Sequence, residues 1–223
     1  MTLGGGAVAV LIPCLHRPHR ASIVVDSLRA SSPETRVVFI ASPEDHAQHD
    51  AVTATGADLL VLDEPPGRGD YARKINAGIK QTSEPLLFMG ADDLLFHNGW
   101  LPAALAQLAE GVGVVGTNDL HNRRVMRGDH ATHLLFTRAY VETFGTIDEP
   151  GKLLHEGYPH EWCDDECVQT ARARNAWAFA ADSHVEHLHP NYGGRPADDL
   201  DAPHARRMRD GQRIFMRRRR LWT

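Results

Sequence analysis

Five short runs that are apolar at consecutive positions constrain this chain more than any other feature. They read AVAVLIP (7–13), RVVFIAS (36–42), ADLLVLDE (57–64), PLLFMG (85–90) and GVGVVGT (111–117). A strand with one face in water alternates apolar and polar side chains. A run that is apolar throughout needs cover on both faces, the condition of a parallel sheet between helices. Segments of helical length separate the runs, at 20–30, 43–55, 71–81 and 100–110. This alternation predicts an α/β chain with a doubly wound sheet. After residue 120 the pattern changes. THLLFTRAYVETFG predicts a strand running into a short helix, DDECVQTARARNA a helix, and WAFAADSHVEHLHP an extended segment that stops at a proline. NYGGRPADDLDAP, rich in Gly, Pro and Asp, reads as a mobile loop.

The 223 residues suffice for one generous domain, and no internal repeat or linker divides them. Charge does divide them. Residues 206–223 carry eight arginines and one aspartate, or +7, so residues 1–205 carry −12 of a total of −5. We therefore expect a domain at 1–205 and a separate basic tail or helix at 206–223. The tail either binds a phosphate-rich polymer or an anionic surface, or pairs its arginines with the acidic body. No apolar run approaches the roughly 20 residues of a membrane span. The opening MTLGGGAVAVLIPCL lacks the basic leader of a signal peptide and is expected to be a short tail and a first strand. Cys14, Cys163 and Cys167 are an odd number of thiols in a chain that can build its own core. They argue against a disulfide framework and for a reducing, cytoplasmic compartment. His160, Cys163 and Cys167 could share a helical face and hold zinc, but a fourth ligand is missing, and packing of small apolar thiols is the favoured reading.

The fourth run ends in chemistry. PLLFMGADD breaks through Gly90 and Ala91 into Asp92 and Asp93. In an open parallel sheet, ligands bind beyond the carboxyl ends of the strands, and the pair falls on that edge. An aspartate there can cap a helix, but the next helical segment starts near Asn98-Gly99-Trp100, too far downstream to need both acids. Two carboxylates at a strand end then suit a divalent cation. In HVEHLHP, His187 and His189 are two apart, so a strand puts both on one face. Carboxylate oxygens suit Mg²⁺ or Mn²⁺, and an added imidazole tilts the choice toward Mn²⁺. CDDE places Asp164, Asp165 and Glu166 at a helix N-terminus. Their mutual repulsion raises the proton affinity of at least one, while the helix end favours the anion. One acid caps the helix, and another is free to take a proton from a hydroxyl. Arg68, Arg73 and Lys74 lie in PPGRGDYARK, where flanking glycines let a loop approach a ligand closely and basic groups meet a diphosphate.

Together these segments resemble the family 2 glycosyltransferases of the GT-A fold. Gly90-Ala91-Asp92 stands where that family closes a strand with D-x-D. The first acid, which usually faces the ribose, is glycine here; Asp92 matches the acid that touches the metal, with Asp93 beside it. VAVLIPCLHRP looks like the opening strand and its loop against the nucleotide base, with Pro13, His16 and Arg17 in that loop. Asn76-Ala77-Gly78 matches the family's Asn-x-Gly. HEWCDDECVQTARAR resembles the acidic motif that heads the acceptor-side helix, and HVEHLHP the late strand that presents a metal-binding histidine. The family's aspartate after the second strand is replaced by Ala41-Ser42, with Glu44 and Asp45 slightly later.

The resemblance covers residues 7–190 and implies a GT-A (Rossmann-like) single α/β domain with a mostly parallel central sheet flanked by helices. It implies a metal-dependent, hexosyltransferase-like enzyme that moves a sugar from a nucleotide-diphosphate sugar, a UDP-sugar first among them, to a hydroxyl acceptor with inversion. It assigns Mn²⁺ or Mg²⁺ to Asp92, Asp93, His187 and His189. The donor goes to Pro13, His16, Arg17, Arg73, Lys74, Asn76, Ala91 and Asp92. Asp165 is the base, with Asp164 and Glu166 as alternates. The acceptor stays open between carbohydrate, protein and modified nucleic acid. A nucleotidyltransferase shares the scaffold but would carry a Gly-rich basic loop after the first strand, where PCLHRPHR has no glycine. A nucleic-acid-binding protein working through the arginine tail would leave the acidic motifs unexplained.

Overall fold

In the computed structural model, which describes residues 8–192 and 194–222, the apolar runs are strands of one eight-stranded sheet. They form β1 (Val8–Pro13), β2 (Arg36–Ala41), β3 (Asp58–Val61), β4 (Leu86–Met89) and, after the short β5 (Leu94–Phe96), β6 (Val114–Asn118). Residue 7, where the first run begins, lies outside the described residues. The later segments add β7 (Leu134–Thr137) and β8 (Trp177–His187). The spatial order is β3-β2-β1-β4-β7-β6-β8-β5. β7 runs antiparallel to both β4 and β6, and β5 antiparallel to β8; the other neighbours are parallel. The sheet is thus mostly parallel, with β7 and β5 reversed.

The helices are α1 (Ala21–Ser31), α2 (His46–Thr55), α3 (Asp70–Gln81), α4 (Trp100–Leu105), α5 (Arg123–Met126), α6 (Arg138–Thr143), α7 (Cys163–Ala173) and α8 (His204–Arg218). α4 stops short of the expected residue 110 because the backbone tightens into turns there, such as Gln107 to Ala104 and Val112 to Ala109. Strand alternation sends Leu11, Ile40, Leu87 and Met89 to one face of the sheet, against α3, α6, α7 and Ile214 of α8. Val10, Ile12, Phe39 and Phe88 go to the other, against α1, α2 and α4. On that side Phe88, Phe96 and Trp100 meet edge to face at 4.9–5.5 Å, each ring contributing about 2–3 kcal/mol by burial. Cys163 and Cys167 pack in the first face, where burial pushes both thiols up and keeps them protonated. They are core residues, as the packing reading expected.

Two features of this topology build the site. α1 and α2 carry the chain outward from β1 on one face, and α3 carries it back across to β4 on the other. The order therefore reverses between β1 and β4, and a crevice opens beyond their carboxyl ends. The second feature is β8. It pairs with β6 through its first part, shifts register opposite Thr117/Asn118, and ends against β5 with His187 opposite Leu94. The Leu188 amide then donates to the Asp93 carbonyl at 2.8 Å.

The arginine-rich segment is largely α8, which uses its two sides differently. Its inner side pairs Arg207 with Glu161 at 2.9 Å and Arg218 with Glu166 at 2.6 Å. Gly211 lies so close that a Cβ would come 2.7 Å from the Trp162 ring. On its outer side Arg206, Arg209, Arg213 and Arg217 are exposed. Among the described residues no helix is long and apolar enough to cross a membrane.

Candidate active site

A cavity of about 700 Å³ occupies the crevice. Its floor is the loop after β1. Lys74, fully buried, donates to the Cys14 carbonyl at 2.8 Å and pairs with Asp70 at 2.8 Å, which pins that loop to α3. His16, at φ 53°, gives its backbone N–H to Asp45 at 2.6 Å and leaves its ring outside the cavity. Arg17 turns inward, 3.5 Å from Asp92. Gly90 leaves little room for an acid in the position of the first residue of D-x-D. A Cβ there would sit 3.0 Å from the Leu11 carbonyl, and the Gly90 carbonyl accepts the Tyr71 hydroxyl at 2.9 Å.

Asp92 and Asp93 are both buried in the cavity wall and face different partners. Burial, and then the neighbouring Asp93 charge, push Asp92 up to about 7 despite Arg17. Burial works to raise Asp93, but the charge and hydrogen bond of His187, 3.3 Å away, together with the Arg195 charge, hold Asp93 below the usual carboxylate range. His187 responds in kind: burial disfavours its charge, and Asp93 more than restores it. His133, stacked edge-on to His187 at 4.9 Å, donates through Nδ1 to the Met89 carbonyl. Burial and the His187 charge push it down to about 3, so its Nε2 is a neutral lone pair. Eight buried side-chain polar atoms have no hydrogen-bond partner among the described residues, and three of them belong to side chains that line this cavity: His133 Nε2, His187 Nδ1 and Arg195 Nε. Buried polar groups are ordinarily satisfied, so this concentration marks a place built for a further polar or ionic partner. Oxygen and imidazole donors together fit Mn²⁺ or Mg²⁺.

The opposite wall is the head of α7. Trp162, a bulky residue at φ 75°, caps the helix and is wedged between Gly211 and Phe215 of α8. Asp164 and Asp165 follow and line the cavity. Buried His130 lies 3.1 Å from Asp164, and Arg124 lies 2.6 Å from Asp165. Burial disfavours the His130 cation, but the hydrogen bond and charge of Asp164 raise it above its ordinary value. Burial, and then the Asp164 charge, raise Asp165. His130, Asp164 and Asp165 offer ligand atoms within 4.8 Å of one another, the one such set among the described residues. His130 and Arg124 already neutralise its two carboxylates.

The sequence profile of the glycosyltransferase-like family 2 matches residues 5–149, well over half of the chain. The chain belongs to that family. It is accordingly an enzyme of the glycosyltransferase class. No curated protein matches the sequence. Among solved structures, the glucosyl-3-phosphoglycerate synthase of Mycobacterium tuberculosis, in complex with Mn²⁺, UDP and glucosyl-3-phosphoglycerate, is similar at a TM-score of 0.64 and 15% identity. The match covers 96% of this chain and 80% of that one. The same synthase is also known with Mg²⁺ and UDP, with a TM-score of 0.63, 15% identity and coverage of 96% and 79%. The mannosyltransferase PcManGT of Pyrobaculum calidifontis, in complex with GDP-Man and Mn²⁺, is similar at 0.67 and 16% identity over 95% of this chain and 64% of that one. The fold of this glycosyltransferase is the GT-A fold.

Of the residues singled out from sequence, the enzyme brings Pro13, Arg17, Lys74, Ala91, Asp92, Asp93, Asp164, Asp165, His187 and His189 to one cavity. His189 Nδ1 accepts the Asn191 amide N–H at 3.2 Å. His16, Arg73, Asn76 and Glu166 do not line the cavity. Arg73 is turned to Glu64 and the Pro65 carbonyl. Asn76 ties α3 to the backbone of Leu153 and Leu154. Glu166, buried, takes Arg218 and the Tyr158 hydroxyl. Sequence reasoning missed Arg124, His130, His133 and Arg195. Only the apolar run after His133 carried a signal, since it marks a strand whose leading residue falls at the sheet edge.

Proposed function

We propose that this family member transfers a sugar from a nucleotide-diphosphate sugar to a hydroxyl acceptor, with a divalent cation at Asp93 and His187 and with inversion at the sugar carbon. The cluster of buried polar atoms without hydrogen-bond partners on His133, His187 and Arg195, the last two beside Asp93, carries this reading. Asp92 and His133 flank the pair and would complete an oxygen-and-imidazole set. Mn²⁺ or Mg²⁺, when bound, supplies neutralisation of the departing diphosphate. The other requirements fall to the chain's own residues. The loop Pro13–Cys14–Leu15, held by Lys74, receives the nucleotide. Asp165 takes the proton as the acceptor oxygen attacks, and the bond between sugar carbon and phosphate oxygen breaks on the opposite side. His130 and Arg124 hold the two acids of α7 in place. The buried, unpaired thiols favour a reducing, cytoplasmic compartment.

A thermal-shift screen of nucleotide sugars with and without Mn²⁺ tests this. The right donor at 100 times its Kd adds about 2.7 kcal/mol, a rise of roughly 5–10 °C in Tm for a chain of this size, and only with the metal. Stabilisation by no nucleotide sugar in either Mn²⁺ or Mg²⁺ defeats the proposal.

The outer side of α8 favours one acceptor class. Arg206, Arg209, Arg213 and Arg217 repeat at spacings that form one stripe along the helix, in which Asp210 pairs with Arg206 at 3.9 Å and Arg213 at 3.4 Å. Ile214 and Phe215 of α8 pack on the body, while Met208 and Met216 are exposed. A row of guanidinium groups suits a phosphate backbone, and we read the acceptor as nucleic acid held along α8. Replacing Arg209, Arg213 and Arg217 by glutamate is expected to abolish salt-dependent DNA binding measured by fluorescence anisotropy, while Mn²⁺-dependent donor binding persists. DNA affinity equal to that of the unaltered protein removes α8 from the account.

A further inference from the structure

The loop that follows β8 brings a second guanidinium to the site, beside Asp93. Arg195 is buried, its side chain 5% exposed, with Nε 3.5 Å from Asp93 and unaligned for a hydrogen bond to it. Its other nitrogens grip Asp201 at 2.7 and 2.9 Å. Arg17 is arranged alike. It lies 3.5 Å from Asp92 and is held by Asp198 at 2.7 Å and Asp201 at 3.1 Å. Each carboxylate at the end of β4 therefore faces one guanidinium, and each guanidinium is kept there by acids of the loop. All except Asp198 border the cavity.

Geometry separates the two kinds of contact. The loop acids hold the arginines through short, well-directed bonds. The contacts to Asp92 and Asp93 are at 3.5 Å, near the limit of a hydrogen bond. Such contacts give up their partner readily. A cation arriving at the two aspartates must displace positive charge, and the arriving diphosphate offers that charge somewhere to go. Guanidinium forks match phosphate oxygens as well as they match carboxylates.

We propose that Arg17 and Arg195 hold the place of the divalent cation in the free enzyme and become ligands of the donor's diphosphate when the cation arrives. The inference rests on the proposed cation site at Asp93 and His187. It assigns the diphosphate to two neighbouring residues that share Asp201, one on the loop after β1 and one on the loop after β8. It also means that metal and nucleotide bind cooperatively: each arrival removes the charge that opposes the other.

The test uses Mn²⁺ alone, followed by electron paramagnetic resonance of the free ion, and UDP in saturating Mn²⁺, followed by calorimetry. Arg195→Gln removes a competing cation and a phosphate ligand together, so the two affinities move in opposite directions. Mn²⁺ alone is expected to bind about 10-fold tighter, and UDP with Mn²⁺ about 10–100-fold weaker. Arg17→Gln is expected to give the same opposed pair of shifts, tighter Mn²⁺ and weaker UDP. Arg195→Lys keeps the charge without the fork, holding Mn²⁺ affinity near that of the unaltered protein and restoring part of the UDP affinity. A fall in both affinities in Arg195→Gln marks a merely structural arginine and overturns the proposal, as does no change in either. Unaltered protein that takes up no Mn²⁺ even with UDP removes the cation site itself. Failure of the arginine exchange alone leaves that uptake intact.

Discussion

Asp165→Asn is expected to lower kcat by about 10²–10⁴-fold, the range lost with a positioned general base, while donor affinity stays within about twofold. The acceptor need not be known to measure this. Mn²⁺-dependent hydrolysis of the donor, with water in the acceptor's place, reports the same proton transfer, and calorimetry reports donor binding separately. The expectation rests on where Asp165 sits. It lines the cavity at the head of α7, away from the carboxylates of β4 that would meet the metal. Burial and the Asp164 charge raise its proton affinity, and Arg124 offsets only part of that. A base acts only when deprotonated, so the rate should fall as pH drops through this raised pKa, above the ordinary carboxylate range. Asp165→Asn should lose that acid limb together with the rate. A variant that turns over at the normal rate, or keeps the acid limb, would move the base elsewhere.

Asp93→Asn is expected to weaken Mn²⁺-dependent donor binding by more than about 100-fold, beyond the 10–100-fold typical of partners outside the metal's own ligands. Asp92→Asn is expected to cost less. The reason is the difference between two adjacent carboxylates of similar burial. Asp93 lies 3.3 Å from the His187 imidazole, its partner in the proposed cation site, whereas Asp92 faces the Arg17 guanidinium at 3.5 Å. Titrating each variant with Mn²⁺ in the presence of UDP separates them. Normal metal dependence in Asp93→Asn would end the assignment of the site. A larger loss in Asp92→Asn would hand the metal to the acid that the sequence motif singles out.

That motif illustrates how much was legible beforehand. PLLFMGADD shows that carboxylates close a buried strand, and the spacing of the runs shows that the strand end lies on the ligand edge of the sheet. Both follow from patterns local in the chain. Which acid meets the histidine does not, because it depends on β5. Three residues, Leu94–Phe96, are too few to carry a periodic signal, yet their antiparallel pairing with β8 sets His187 beside Asp93. The acids of α7 divide for a similar reason. Asp164, Asp165 and Glu166 are chemically alike and adjacent. The helix turns Glu166 toward Arg218 and Tyr158 and leaves the other two at the cavity.

The arginine tail follows the same rule. Its excess charge is plain in the composition, but the division into a paired inner side and an exposed outer side exists only once α8 has docked on Trp162 and Glu161. By itself the sequence determined the α/β layering, the strand that ends in two aspartates and the helix headed by three acids, since each is a matter of residue order over a dozen positions or fewer. Only the tertiary structure decided which charges meet. His187 and Asp93 are 94 positions apart, Arg17 and Asp198 are 181 apart, and no local preference encodes a contact across such distances.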